Sequence, residues 1–244
     1  MTSRLRRFVL FLCLIVGSCV LSSTAQQEKE PPETHDIRLE HADRYRFDDK
    51  TNQVELAGNV ILHHEDGTLR CDNISFNTET KKGEATGNPA FTDPENTVTG
   101  EVLFIDFKAR VAGFRGKVKL VRQPAKPADA QPKEDKKTNE TEEDRLERYR
   151  QQKTTISADE IQYYYKEKRV VAKGNVKAEQ EKRTAWAENA VYTDSDELLV
   201  ITGNVRMETA EGESFRCEKV TISLKENWVE ASGNIQSRFK ITEE

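Results

Sequence analysis

The sequence predicts an all-β protein assembled from six copies of one unit of about 29 residues. A glycine-centred stretch recurs along the chain as Ala57-Gly58-Asn59-Val60, Thr86-Gly87-Asn88-Pro89, Arg115-Gly116-Lys117-Val118, Lys173-Gly174-Asn175-Val176, Thr202-Gly203-Asn204-Val205 and Ser232-Gly233-Asn234-Ile235. The glycine spacings are 29, 29, 58, 29 and 30 residues, and self-similarity at a fixed period signals stacked supersecondary units. Around each glycine, alternate residues are apolar and often β-branched or aromatic, as in a strand with one buried face. Helical periodicity is absent from these stretches.

Taken in order, the chain opens on a basic flank (Arg4, Arg6, Arg7), an apolar run from Phe8 to about Leu21, and Ser23-Thr24-Ala25. This is the pattern of a secretory signal peptide over residues 1–25, with cleavage after Ala25 and an uncleaved inner-membrane anchor as the alternative. The apolar run falls short of the roughly 20 residues of a membrane-spanning helix. Residues 26–36 are polar and proline-bearing, and are expected to be mobile.

Units 1–3 occupy residues 37–122. Each unit opens on a small residue followed by an acid: Ala42-Asp43, Cys71-Asp72 and Gly100-Glu101 here, then Ala158-Asp159, Ala187-Glu188 and Cys217-Glu218 in the second half. Three and five residues after the small residue stand apolar ones, such as Ile74 and Phe76 or Leu103 and Ile105. The odd step between small residue and first apolar residue breaks the two-residue alternation once per unit, which predicts a bulge or corner. The acids are expected to hydrogen-bond backbone at that bend. Four and two residues before each glycine, and two after it, stand the next inward residues, so the glycine itself is expected to share the inward parity and to leave space there. Strands of eight to ten residues follow, joined by turns such as Asp66-Gly67, Asp93-Pro94-Glu95-Asn96 and Glu211-Gly212.

The doubled glycine spacing is explained by residues 123–153. This segment holds Pro124, Pro127 and Pro132, then runs of mixed charge, and has too little apolar surface to offset the entropy of ordering it. It reads as a disordered charged insert replacing one short turn. Units 4–6 follow over residues 154–244, either as a second domain on a tether or as the continuation of one stack. One stack leaves two raw sheet edges instead of four and is favoured on that ground.

No catalytic set is visible. The four histidines (His35, His41, His63, His64) fall in the first unit, and neighbours on a strand point to opposite faces. Nothing in the sequence asks for a metal or cofactor, and no nucleophile-base arrangement points to an enzyme. A net charge of -5 without a basic patch argues against nucleic acid as partner. Cys71 and Cys217 occupy one column four units apart; at strand spacing that is on the order of 19 Å, too far for a disulfide.

What remains is the stack of inward apolar residues. The candidate ligand-contacting set is Val54, Leu56, Val60, Ile74, Phe76, Leu103, Ile105, Phe114, Val118, Ile161, Tyr163, Val176, Ile201, Val205 and Ile222. Several other inward positions are small (Gly83, Ala85, Ala172, Ala178, Ala231), which underfills a core, and like rows stacked in register make a trough suited to a long apolar ligand. The plainer alternative is an exported structural scaffold whose apolar columns are only core.

The repeated small-acid-x-apolar-x-apolar stretch leading to Ala/Thr-Gly-Asn-Val resembles the OstA-like (LptA) family of periplasmic lipopolysaccharide-transport proteins, over residues 37–122 and 154–241. Pro89, Lys117 and the long insert depart from the pattern. The resemblance implies a twisted, semi-open β-jellyroll in the periplasm whose interior holds the acyl chains of lipopolysaccharide or lipid A. It also implies edge-to-edge joining with other β-jellyroll transport proteins or a second copy, and either a soluble bridge or an inner-membrane-anchored component of the same system. Open backbone edges near Ile37 and near residues 235–241 are the expected places for strand addition.

Overall fold

The computed structural model describes residues 37–64, 66–123, 152–226 and 228–239. The expected signal segment, the N-terminal residues 26–36 and nearly all of the charged insert lie outside these residues. The described chain forms one antiparallel sheet of sixteen strands: β1 (Ile37–His41), β2 (Arg44–Asp48), β3 (Gln53–His64), β4 (Gly67–Asn77), β5 (Lys82–Thr86), β6 (Ala90–Thr92), β7 (Asn96–Thr99), β8 (Val102–Asp106), β9 (Val111–Arg122), β10 (Thr154–Tyr164), β11 (Arg169–Gln180), β12 (Arg183–Thr193), β13 (Leu198–Thr209), β14 (Ser214–Ser223), β15 (Trp228–Ser232) and β16 (Gln236–Arg238).

The short strands are halves of long ones. β5 and β6 both pair with β4, β7 and β8 both with β9, β1 and β2 both with β3, and β15 and β16 both with β14. The fold is therefore a meander of twelve bent strands, two per repeat unit. The intact strands reach 12 residues, longer than the eight to ten expected, because the chain runs through the corner without losing its pairing. β9 pairs with β10 across the insert, so the two halves make one sheet.

The bend sits at Gly-Asn. In β3 the register steps from Ala57↔Asn73 to Val60↔Cys71, so Gly58 and Asn59 together oppose Asp72 alone; Gly174 and Asn175 oppose Glu188, and Gly203 and Asn204 oppose Glu218, in the same way. Two residues against one is a β-bulge, which bends and twists its strand. Both bulge residues have left-handed backbones, with φ of +71° to +82° at the six repeat glycines and +45° to +55° at the asparagines and Lys117 that follow. Glycine tolerates the first conformation at no steric cost, and asparagine is among the few other residues enriched in the second.

The glycines do not open space inside the sheet, contrary to expectation. A Cβ on any of the six would collide with the acid fifteen residues earlier: Asp43 at Gly58, Asp72 at Gly87, Glu101 at Gly116, Asp159 at Gly174, Glu188 at Gly203 and Glu218 at Gly233. These acids lie on the outside of the corner, and the missing side chain makes room for them. The backbone N–H of Asp43, Asp72, Glu101 and Glu218 donates to the carbonyl of the partner glycine. The carboxylates, expected to bond backbone, instead accept the amide of the following asparagine in four units.

Register partners share a face, so the pairings read out as rows. One row crosses every bent strand near the hairpin turns: Phe47, Val54, Phe76, Gly83, Ile105, Ala112, Tyr163, Val170, Tyr192, Leu199, Ile222 and Val229. Beyond the corner a second runs Leu39, Leu62, Leu69, Phe91, Val98, Leu120, Ile156, Ala178, Ala185, Met207 and Phe215. The corners fold these two half-sheets face to face, giving the β-jellyroll. Its main core cluster takes residues from both sides of the corner, including Leu56, Leu103, Phe114 and Ile161 from one and Val60, Phe91, Val98 and Leu120 from the other.

Candidate functional site

The interior is filled in its first part and open in its second. Between β3 and β10 large side chains meet across the two half-sheets, and Phe114, Val98 and Tyr163 are at most 1% exposed. On β11 and β12 inward positions carry alanine: Ala172, Ala178, Ala185, Ala187 and Ala190. Ala172, Ala178, Ala185 and Ala190 stand where the first half has larger residues such as Leu56, Phe91, Val98 and Leu103, and together with Ala187, at the position that is small in every unit, they leave a cavity of about 240 Å³. Its walls are apolar. Ile161, Val170, Ala172, Ala190, Tyr192, Leu199, Ile201 and Leu224 come from one side of the corner, and Leu120, Ile156, Val176, Ala178, Ala185, Trp186, Ala187 and Val205 from the other.

Of the candidate residues named from sequence, Ile161, Val176, Ile201 and Val205 line this cavity. Leu56, Val60, Leu103, Phe114, Val118 and Tyr163 are buried in the core cluster, with Ile74 packed against it. Ile222 packs in a smaller cluster around Val205, Cys217 and Val220. Val54, Phe76 and Ile105 lie partly exposed along the row nearest the hairpin turns, with the ring of Phe76 edge-on to Phe107 at 6.0 Å. The cavity residues absent from that set are the five alanines and seven larger apolar residues, Leu120, Ile156, Val170, Trp186, Tyr192, Leu199 and Leu224. The signal was in the sequence as five alanines between positions 172 and 190, but a rule that selects large apolar residues finds the filled core first.

Polar chemistry is sparse around the cavity. Burial, followed by the nearby charges of Asp194 and Glu197, pushes the Tyr192 phenol well above its ordinary range, so it stays neutral. Arg206 stacks 4.0 Å over the Trp186 ring. Cys71 and Cys217 are both free and buried. Among the described residues no group of three His, Cys, Asp or Glu side chains is placed to hold a metal ion. His63 contacts Glu40 on the neighbouring strand, and His41 pairs with Asp43 at 3.1 Å, both at the first edge of the sheet.

Each edge exposes large apolar side chains. Ile37, Leu39, Tyr45 and Phe47 stand on β1 and β2, while Trp228, Val229, Ile235 and Phe239 stand on or beside β15 and β16. Leu39, Phe47 and Val229 belong to the inward rows, and they are exposed because no further strand among the described residues covers them.

Two family models match the chain, one on each half. Residues 34–126 match an OstA-like protein model, and residues 148–228 match the model of the LptA/(LptD N-terminal domain) LPS transport protein. This chain belongs to the OstA-like family. Together the two matched segments cover units 1–3 and units 4–6 as far as residue 228 in the OstA-like chain, and leave the charged insert largely between them. The family is one of transport proteins, not of enzymes. Among solved structures, the OstA-like chain is similar to LptH of Pseudomonas aeruginosa, described as the LptA homologous periplasmic component of the conserved lipopolysaccharide transport device. The two are 18% identical over 69% of this chain and 82% of that one, with a TM-score of 0.33. No curated protein sequence matches the chain. Among the described residues, no helix is long and apolar enough to cross a membrane.

Proposed function

We propose that this protein is a periplasmic lipid carrier in lipopolysaccharide transport, holding acyl chains between its two half-sheets. The observation that carries the reading is the apolar cavity of about 240 Å³ that the alanine-rich strands β11 and β12 leave open. Burying an acyl chain gains about 0.8 kcal/mol per CH₂, and a dry, apolar wall is all that this requires. The edges support the rest of the reading. Inward rows that end on exposed Leu39, Phe47 and Val229 would be covered, and the trough lengthened, by strand addition of another β-jellyroll protein or a second copy.

The filled interior between β3 and β10 favours a different role for that part of the chain, as scaffold supporting the open part. Photocrosslinking separates the two. A photoreactive residue at Ile201 should capture lipopolysaccharide in the periplasm, whereas one at Lys219, on the outer face of the same half-sheet, should not. Capture from neither site, in a folded and lipid-free protein, would make the whole interior core and leave the scaffold reading.

A further inference from the structure

The corner of the second unit departs from the other five. In four units the acid accepts the side-chain amide of the asparagine after the glycine, and in the third Glu101 takes Lys117 at 2.9 Å. The second corner has the same triplet, Asp72, Gly87 and Asn88. Among the described residues, however, neither the Asp72 carboxylate nor the Asn88 amide has a hydrogen-bond partner. A difference in sequence accompanies this. Pro89 stands where the other units have Val or Ile, and proline lacks the N–H that continues a ladder. On one side of β4, Val60 pairs with Cys71; on the other, pairing stops at Asn73↔Thr86 and resumes at Arg70↔Ala90.

The break between β5 and β6 opens a notch of about 230 Å³ on the outside of the corner. Asn59 and Ile61 border it from β3, Arg70 and Asp72 from β4, and Gly87 and Asn88 from the break, with buried Val60 and Cys71 beneath. Ile61 and Arg70 are register partners that point outward, because Leu62 and Leu69 beside them point inward. The Arg70 guanidinium has no hydrogen bond or ion pair among the described residues. Glu40, on which its charge acts, is already bonded to His63. Asn59 is held by one long bond of 3.4 Å to Asp43. The notch thus gathers a carboxylate, a guanidinium and two amides around one apolar side chain.

We propose that this notch binds a sugar residue, independently of the acyl-chain cavity, with which it shares no side chain. A hydroxyl both donates and accepts. Asp72 accepts the O–H groups of neighbouring hydroxyls, while Arg70 and Asn88 donate N–H groups to the hydroxyl oxygens. A simple anion would meet the Asp72 carboxylate, and a simple cation the Arg70 guanidinium; a neutral polyol suits both. Ile61 gives the C–H face of the ring a surface to rest on. The volume is below the roughly 300–1,000 Å³ of a drug-sized pocket, which fits one ring.

The test is an NMR titration of the ¹⁵N-labelled full chain with methyl glucoside, methyl galactoside and methyl mannoside, with alanine and inorganic phosphate as zwitterionic and anionic controls. At least one glycoside should move the Asn88 side-chain amide and Arg70 Nε–H signals along a saturable, salt-independent curve. Asp72→Asn, which keeps the shape, and Arg70→Gln should each weaken binding about tenfold, as loss of a hydrogen bond to a charged group does. Glu188→Gln, the acid of a closed corner, should leave it unchanged. Unaltered signals from β10–β13 report that each variant is folded. Adding the acyl-free saccharide of lipopolysaccharide separates two sources: displacement of the glycoside assigns the notch to the head of a carried lipid, and no displacement to an unlinked glycan. Saturation by alanine or phosphate alone, no saturable shift with any glycoside, or equal loss in Glu188→Gln would overturn the sugar site and leave the cavity reading standing.

Discussion

Asn204 donates its side-chain amide to the carboxylate of Glu188, sixteen residues earlier, at 2.6 Å, and Gly203 beside it has the φ of +82° that turns the strand through the corner. The same triplet of acid, glycine and asparagine is built at Asp159, Gly174 and Asn175 and at Glu218, Gly233 and Asn234. The corner of each unit thus rests on backbone conformation, with the side-chain bond added on an exposed surface. Gly203→Ala should destabilise the protein by about 1–3 kcal/mol. The new methyl would occupy a left-handed position and would lie 2.6 Å from the Glu188 Cβ. Asn204→Lys should cost much less, because Lys117 occupies the equivalent place and reaches Glu101 at 2.9 Å. Urea unfolding of the two variants checks the order; equal losses would mean that the amide, and not the glycine, sets the bend.

Tyr163 gives the opposite kind of prediction. It is fully buried, and its hydroxyl has no hydrogen-bond partner. A buried polar group left unpaired costs about 1–3 kcal/mol. Tyr163→Phe should therefore leave stability unchanged or raise it, while Tyr163→Ala, which removes the ring from a packed site, should cost about 3–5 kcal/mol. Thermal unfolding separates the two, and a marked loss in the phenylalanine variant would reveal a hydrogen bond to the phenol.

How much of this was legible depends on which physical signal each feature leaves. The strands and their inward rows were readable because alternation is imposed wherever one face is buried, as Leu103 and Ile105 or Ile161 and Tyr163 show. The corners were readable as periodic glycines, but the direction of the missing side chain was not. Parity along the strand places Gly58 inward, and only the left-handed backbone turns that position out toward Asp43. The hairpin turns beside the row from Phe47 to Val229 went unmarked because Asn52, Lys81, Arg110, Lys168 and Glu197 take φ of +47° to +62° without any glycine. The filled half and the open half share one pattern in sequence. What separates them is the volume of neighbours in one row, such as Phe91 and Val98 against Ala178 and Ala185, and that matching of volumes appears only after folding.

Cys71 and Cys217 should be chemically silent. Burial, with a further push from Asp72, raises the Cys71 thiol to about 11, and burial raises that of Cys217 as well. The thiolate is the reactive form, so at pH 8 only about one Cys71 side chain in a thousand is reactive. Alkylation of Cys71 by iodoacetamide in the folded protein should be slow and should quicken about tenfold per pH unit between 8 and 10. In urea both thiols should react at once. Fast, pH-independent labelling of native protein would mean that the strands carrying these residues open readily.

Filling the cavity tests whether it exists for a ligand. Ala190 lies between Ala172 and Ile201 in one row, and all three line the open space. Ala190→Leu adds three carbons to a wall that already faces empty volume, so it should gain up to about 2 kcal/mol of stability where the same change in a packed core would cost about 1–3 kcal/mol through overpacking. It should also remove the space an acyl chain needs. The expected result is a raised Tm together with loss of lipopolysaccharide crosslinking from Ile201. Ile201→Asp should abolish the crosslink too, but by placing an unpaired charge in an apolar wall, which lowers stability. If Ala190→Leu destabilises the fold, the alanines are there because the half-sheets approach closely at this point, and the space between them is packing rather than a binding site. Stability and ligand capture moving in opposite directions is the outcome that a filled core cannot produce.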